Sequence, residues 1–268
     1  MKPTDQPNNE SGEKAFPNPV GDRILSRGEA RPKYAVRLAA SAAEIEAAQR
    51  LRFNVFNIEL KEGLPQSFAT GLDADPFDAV CDHLIVEELP SGAIVGTYRL
   101  QTGVKAREKL GYYSSQEFDL TPLERYRTET VELGRACVDI QHRNLAVLGY
   151  LWRGIADYAK NRNAHYLVGC SSLTSQIPAE GAAAYAVLSR DHLAPEPYRV
   201  KPLPGVACPM DKTAAKAPKI PRLLAAYLSM GAKICGPPAI DREFKTIDFL
   251  TLHDLETLPE KTVKRFFS

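Results

Sequence analysis

Four short stretches place charge beside or inside apolar runs: Arg52-Phe53-Asn54-Val55-Phe56, Asp75-Pro76-Phe77-Asp78, Gly96-Thr97-Tyr98-Arg99-Leu100 and Glu132-Leu133-Gly134-Arg135. A charge in such a position is costly unless it is paired or faces a cleft. Each has two readings. Arg52 either lies along the surface on its own stem or points a guanidinium into a cleft. Asp75 and Asp78 either shape a turn or present carboxylates. Arg99 is an exposed edge charge or a cleft cation. Glu132 and Arg135 are an internal ion pair or a reactive pair. The chemistry on offer is a carboxylate that can take a proton, with arginines whose fork can orient an anion or brace an acid.

Spacing adds a geometric expectation. Glu132 and Arg135, three apart on a strand, face opposite sides of a regular ladder because the side-chain period is two. A β-bulge near Gly134 brings both to one face, and bulges accompany active sites. The stretch Gln141-His142-Arg143-Asn144-Leu145-Ala146 joins this strand to a helix. Its backbone N–H groups, at a positive helix end with Arg143 nearby, suit a phosphate. The five cysteines are odd in number and form no CxxC pair, so neither a zinc site nor a disulfide framework is expected. Buried reduced thiols are the simpler reading.

The elements that must hold these residues follow from periodicity. Tyr34, Val36 and Leu38 alternate as in a half-buried strand. Ser41 reads as an N-cap with Glu44 completing a capping box. Ala48, Leu51, Val55 and Ile58 form one helical stripe, ended near Gly63-Leu64-Pro65. His83–Leu89 and Ala93–Leu100 flank a turn as a hairpin. A strand at Thr130–Val138, a helix at Asn144–Lys160 and a strand at Ala164–Cys170 make a βαβ-like unit with adjacent parallel strands. A helix at Ala179–Arg190, another at Pro221–Met230 ended by Gly231, and a strand at Thr246–Leu252 follow.

Length and composition bound the rest. The 268 residues carry 34 Lys+Arg against 33 Asp+Glu, a net charge of +1, with 44% hydrophobic and 25% charged residues. That balance excludes a strongly basic nucleic-acid binder and fits a soluble globular protein. No secretory signal and no apolar run long enough to span a bilayer is seen, so a cytoplasmic protein is expected. Residues 1–33 read as a disordered or draped arm. The 20 prolines leave a poor middle, residues 33–177, which holds the four charged stretches; eight crowd residues 178–221. The Pro/Lys-rich part of 176–222 exceeds an ordinary loop and reads as a flap or partner surface.

The strand–loop–helix at 130–160 resembles the acyl-donor-binding core of the GNAT-fold acyltransferases. Their Gln/Arg-x-x-Gly-x-Gly/Ala loop stands here as Gln141-x-x-Asn144-x-Ala146. Upstream, Arg52-x-x-Val55-Phe56, Asp75-x-x-Asp78, Gly96-x-x-Arg99-Leu100 and Glu132-x-x-Arg135 occur in the order of the acyl-homoserine-lactone synthases and long-chain N-acyl amino acid synthases. The words Cys81–Val86, Gly111–Leu120, Glu132–Val138, Leu151–Ile155 and Tyr227–Ala232 are similar to the ornithine-acyl-carrier-protein N-acyltransferases, a likeness running from about Tyr34 to Leu258.

The resemblance implies an α/β (α+β) fold: a GNAT-like mixed sheet flanked by helices, with a splayed acyl-donor-binding strand pair over residues 34–258 and a tail at 259–268. It implies direct transfer of a fatty acyl group, 3-hydroxylated in this family, from acyl-carrier protein to the α-amine of ornithine. Glu132 is then the base. Arg52, Asp75, Asp78, Arg99 and Arg135 contact the amino acid or brace one another, with Asp75 or Asp78 holding its side-chain amine. Val138, Gln141, Arg143, Asn144 and Ala146 meet the donor. No permanent cofactor or metal is implied. An acidic carrier protein would dock on basic residues, for which Lys201, Lys212, Lys216, Lys219 and Arg222 are candidates. The end at Leu258–Phe267 is compatible either with peripheral membrane contact or with a helix packed on the domain. Another acceptor, as in N-acyl amino acid or acyl-homoserine-lactone type synthases, is an alternative, and so is a non-catalytic carrier- or lipid-binding module.

Overall fold

The computed structural model describes residues 32–214 and 216–266. The arm expected over 1–33 lies outside them but for its last two residues. In order come β1 (Tyr34–Leu38), α1 (Ala42–Phe53), β2 (Asp82–Glu88), β3 (Ala93–Thr102), α2 (Gly103–Glu108), β4 (Phe118–Asp119), β5 (Thr130–Val138) and α3 (Leu145–Asn161). Then follow β6 (Tyr166–Leu173), α4 (Pro178–His192), β7 (Lys201–Pro202), α5 (Arg222–Ser229), β8 (Lys233–Ile234), β9 (Ala239–Asp241), β10 (Thr246–Asp254) and α6 (Glu260–Phe266).

The main sheet runs β1-β2-β3-β5-β6-β10-β8, with β9 also on β10. Its pairings are antiparallel except β5 with β6. α3 is the crossover that a parallel pair requires. The expected mixed sheet flanked by helices is therefore present, and it is mostly antiparallel.

α1 starts where the sequence says, with a shifted cap. Ser41 Oγ accepts from the Glu44 amide, but the Glu44 carboxylate accepts from Ala40 N, one residue before the cap. Ala48, Leu51 and Val55 are buried as expected, whereas Ile58 is 46% exposed. The reason is a π-helical turn over Asn54–Glu59 that widens the helix and rotates its last residues off the stripe. α3 begins at Asn144, whose side chain caps it, and buries Val147, Leu151, Ile155 and Tyr158. Gly154 lets it lie close on the sheet: a Cβ there would stand 2.8 Å from Leu84 and Val36.

The Pro-rich stretch after α4 is tied to the body, because β7 pairs with β4 and Ala207 bridges Ala239. At the end of the chain α6 turns Phe266 inward onto Trp152, which also meets Tyr227 and His253. Among the described residues no helix is long and apolar enough to cross a membrane.

Candidate active site

β5 and β6 pair only from Thr130↔Tyr166 to Glu132↔Val168, and then part. Two local features mark the fork: an extra residue that turns β5 away, and a last close approach of the two backbones. On the β3 side of β5 the register steps from Arg99↔Gly134 to Thr97↔Cys137, three residues against two, so one extra residue bulges from β5. Arg135 takes a left-handed φ of 50° there. On the other side Gly169 of β6 faces the Leu133 carbonyl so closely that no Cβ would fit. The expected bulge is thus real, lying one residue past Gly134. The fork encloses a cavity of about 270 Å³ onto which Glu132, Arg135, Val168, Cys170, Tyr227 and Asp248 all face. Glu132 and Arg135 share it as the bulge requires.

One wall is an ionic knot. Arg52 of α1 gives Nε to Asp73 Oδ2 at 2.8 Å and Nη2 to both Asp78 oxygens at 2.8 and 2.9 Å. Arg99 of β3 bonds Asp75 Oδ1 at 2.6 Å and Asp78 Oδ1 at 3.2 Å. Arg135 bonds Asp75 Oδ2 at 3.0 Å and stands 3.2 Å from Asp73. Three arginines thus meet three aspartates and cancel. Burial alone would raise the Asp78 carboxyl, but Arg52 and Arg99 outweigh it and hold it at about 2. Asp75 and Asp78 also shape a turn, since each caps the short 3-10 turn at Pro76–Ala79 reciprocally. The turn-shaping reading of this pair holds.

The knot sorts the expected substrate contacts. Arg52 has no exposed surface and is not among the residues lining the cavity; its guanidinium braces Asp73 and Asp78. Asp75 and Asp78 do not line the cavity either, and their oxygens are engaged by arginines. Arg99 and Arg135 do line it, and Nη2 of Arg99 is buried there with no hydrogen-bond partner.

Glu132 stands at the fork. Oε2 accepts from the Tyr113 amide at 2.7 Å; Oε1 accepts from the amide and hydroxyl of Ser114 at 2.8 and 2.6 Å. Burial pushes its carboxyl above the usual range, against these donated bonds and Arg99. The cavity is also lined by acids, Asp248 of β10 with Asp241 and Glu62, and Glu117 lies behind Asp248 and Cys170 without lining it. Burial first, and then carboxylate neighbours, push the Glu117, Asp248 and Glu62 carboxyls up. All five cysteines are free thiols. Burial raises each, Cys81 and Cys235 to about 12.

The expected donor loop is arranged differently. Asn144 Oδ1 accepts from the Ala146 and Val147 amides, and Asp139 Oδ1 from the Gln141 amide. Arg143 donates to the Val138 carbonyl and pairs with Glu59. Val138, Gln141, Arg143, Asn144 and Ala146 do not line the cavity, and the amides that would grip a phosphate at Gln141 and Ala146 are occupied by the protein's own side chains. Residues missed by sequence reasoning include Asp73, Tyr113, Ser114 and Asp248. Asp248 carried a readable signal, a charge inside the apolar run Thr246–Leu252.

A forked parallel pair with a bulged first strand and a crossover helix defines an acyltransferase of the GNAT class, and the acetyltransferase (GNAT) domain family matches residues 51–153. A solved N-acyl amino acid synthase from uncultured soil microbes shares the fold at 12% identity, over 85% of this chain and 93% of that one, with a TM-score of 0.50. Closer in sequence is the L-ornithine N(alpha)-acyltransferase of Brucella abortus (strain 2308), 34% identical over 86% of this chain and 88% of the relative. That of Rhodobacter capsulatus is 35% identical over 85% of this chain and 92% of its own. The chain belongs to the L-ornithine N(alpha)-acyltransferase family.

Proposed function

We propose that the chain moves a 3-hydroxy fatty acyl group from the thioester of acyl-carrier protein to the α-amine of ornithine, giving lyso-ornithine lipid. The family supports the acceptor; in this chain the observation that carries the reading is Glu132 at the fork of β5 and β6. Its Oε2 accepts only one hydrogen bond from the protein, which leaves it free to receive a proton. Burial makes it a better base than an exposed glutamate, while the bonds from Tyr113 and Ser114 hold its direction.

The α-ammonium gives a proton to Glu132, directly or through a water, and the freed nitrogen attacks the thioester carbonyl. The C–N bond forms and the C–S bond breaks; of the two protons the nitrogen sheds, one goes to the departing thiolate and the other leaves through Glu132 to solvent. Past Glu132 the edge of β5 has no partner in β6. An extended pantetheine arm can lie along it as an added strand, with backbone N–H groups as donors to the oxyanion. The occupied amides at α3 favour a carrier-protein donor over one gripped by a pyrophosphate.

Replacing Glu132 by Gln keeps the shape and removes the base. With 3-hydroxyacyl carrier protein and ornithine, kcat is expected to fall by about 100-fold or more at a similar KM. Product formation is followed by mass spectrometry and the fold by circular dichroism. Near-normal turnover would remove Glu132 from this role.

A further inference from the structure

The sequence reading placed the acceptor's side-chain amine on Asp75 or Asp78. The knot leaves them no free charge, since each of their carboxylates is engaged by arginine. The acidic group on the other wall is its opposite. Glu117 and Asp248 are each 4% exposed, and Glu117 Oε2 and Asp248 Oδ1 are buried without a hydrogen-bond partner. Among the described residues no lysine, arginine or histidine pairs with Glu62, Glu117, Asp241 or Asp248. The two carboxyls hydrogen-bond each other, but a buried acidic pair with no cation beside it is still costly, and a native fold keeps such a group where something else completes it.

Several observations say what completes it. Asp248 and Cys170 face the same cavity as Glu132, with Glu117 against them; one oxygen or sulfur from each of the three lies within 4.8 Å of the others. Cys170 Sγ donates to Glu117 Oε1 at 3.7 Å and lines the same cavity as Asp248 and Glu132, so the acidic end and the base share one chamber. The unpartnered Nη2 of Arg99 lies on the same cavity. A molecule spanning it therefore meets a cation, a base and an anionic seat.

We propose that Glu117 and Asp248 seat the side-chain ammonium of the acceptor amino acid, making the enzyme selective for a dibasic acceptor whose α-amine then reaches Glu132. The proposal rests on the acyltransfer reading above. A primary ammonium suits the seat, being a compact charge with three donors for acceptors that have none. An acceptor of the same length but without the amine leaves the pair buried and unmatched, and sites built to bond a polar group reject the analogue that lacks it.

The test compares ornithine with norvaline, which has the same three side-chain carbons and no amine, in the wild type, Asp248→Asn and Glu117→Gln. Both substitutions are near-isosteric, and thermal unfolding checks their folds. The wild type is expected to favour ornithine at least 100-fold in kcat/KM. Each variant should shrink that ratio at least tenfold, through KM for ornithine, with norvaline little changed. Ornithine alone should also raise the wild-type Tm, and raise it less in the variants. An unchanged ratio in both variants would overturn the seat. So would stoichiometric binding of zinc that both variants abolish, with wild-type acyl transfer lost to a chelator. If neither amino acid is acylated by the wild type, yet ornithine still shifts its Tm and not that of Asp248→Asn, the seat stands and the acyltransfer reading falls.

Discussion

Asp248 shows at the scale of one residue how a site can weaken the fold that carries it. Its carboxyl is raised in the folded protein by burial and by neighbouring acids, while in the unfolded chain it ionises in the ordinary range. Between those two points the unfolded chain has released a proton that the folded one keeps, so stability is lost as pH rises through this window and stays lower above it. Asp248→Asn removes the loss. Urea unfolding should show the variant more stable than the wild type at pH 8, by about 1–3 kcal/mol, and the gain should shrink at pH 5. His253 works the other way. Buried and neutral, it is held down to about 4, so it weakens the fold as pH falls from its ordinary value. It is common to both proteins and leaves the comparison intact.

Among the elements, the fork of β5 and β6 decides most, and its two devices differ in how well the sequence announces them. The bulge was legible because Glu132 and Arg135 conflict with the period of a strand, and only an extra residue reconciles them with one cavity. The close approach at Gly169 was not, since it depends on which backbone lies across from it. Gly169→Ala should drive β6 from β5. An expected loss of roughly 1–3 kcal/mol for overpacking would come with at least a tenfold fall in kcat/KM, read by thermal unfolding and acyl transfer. Gly149, on α3 with open space around it, is the control: Ala there should gain up to about 1 kcal/mol and leave turnover alone.

The same distinction explains the site. α1, the β2–β3 hairpin, β5, α3 and β10 were legible from local periodicity, because each hides one face. The Arg–Asp knot was legible as types but not as roles: Arg52, between Leu51 and Phe53, looks alike whether it braces or binds. The acidic seat was hidden, because Glu117 and Asp248 lie far apart in the chain and meet only through the sheet. Ile58 was misplaced since a π-helical turn leaves no mark in an apolar stripe.

For the whole molecule, near-neutral charge conceals local asymmetry. Lys219 and Arg222 are exposed on either side of Pro221, and Pro221, Leu223 and Leu224 line the cavity. On the reading proposed above, these charges would steer an acidic carrier protein to the rim of the cavity. The double change Lys219→Glu and Arg222→Glu should raise KM for the acyl-carrier protein several-fold and flatten its dependence on salt. Transfer from a small acyl-pantetheine thioester should be unaffected. Equal loss with both donors would place the fault in the cavity and not at the rim.

Cys170 gives the acidic wall one more consequence. A thiol inside a chamber that receives an activated acyl group is a hazard, because thiol–thioester exchange would strand the cargo on the enzyme. Only the thiolate attacks, and burial together with Glu117, Asp248, Glu132 and Asp241 presses the Cys170 proton on. Burial first, and then the negative charge gathered there, keep the Cys170 sulfur protonated and so favour the incoming nitrogen over it.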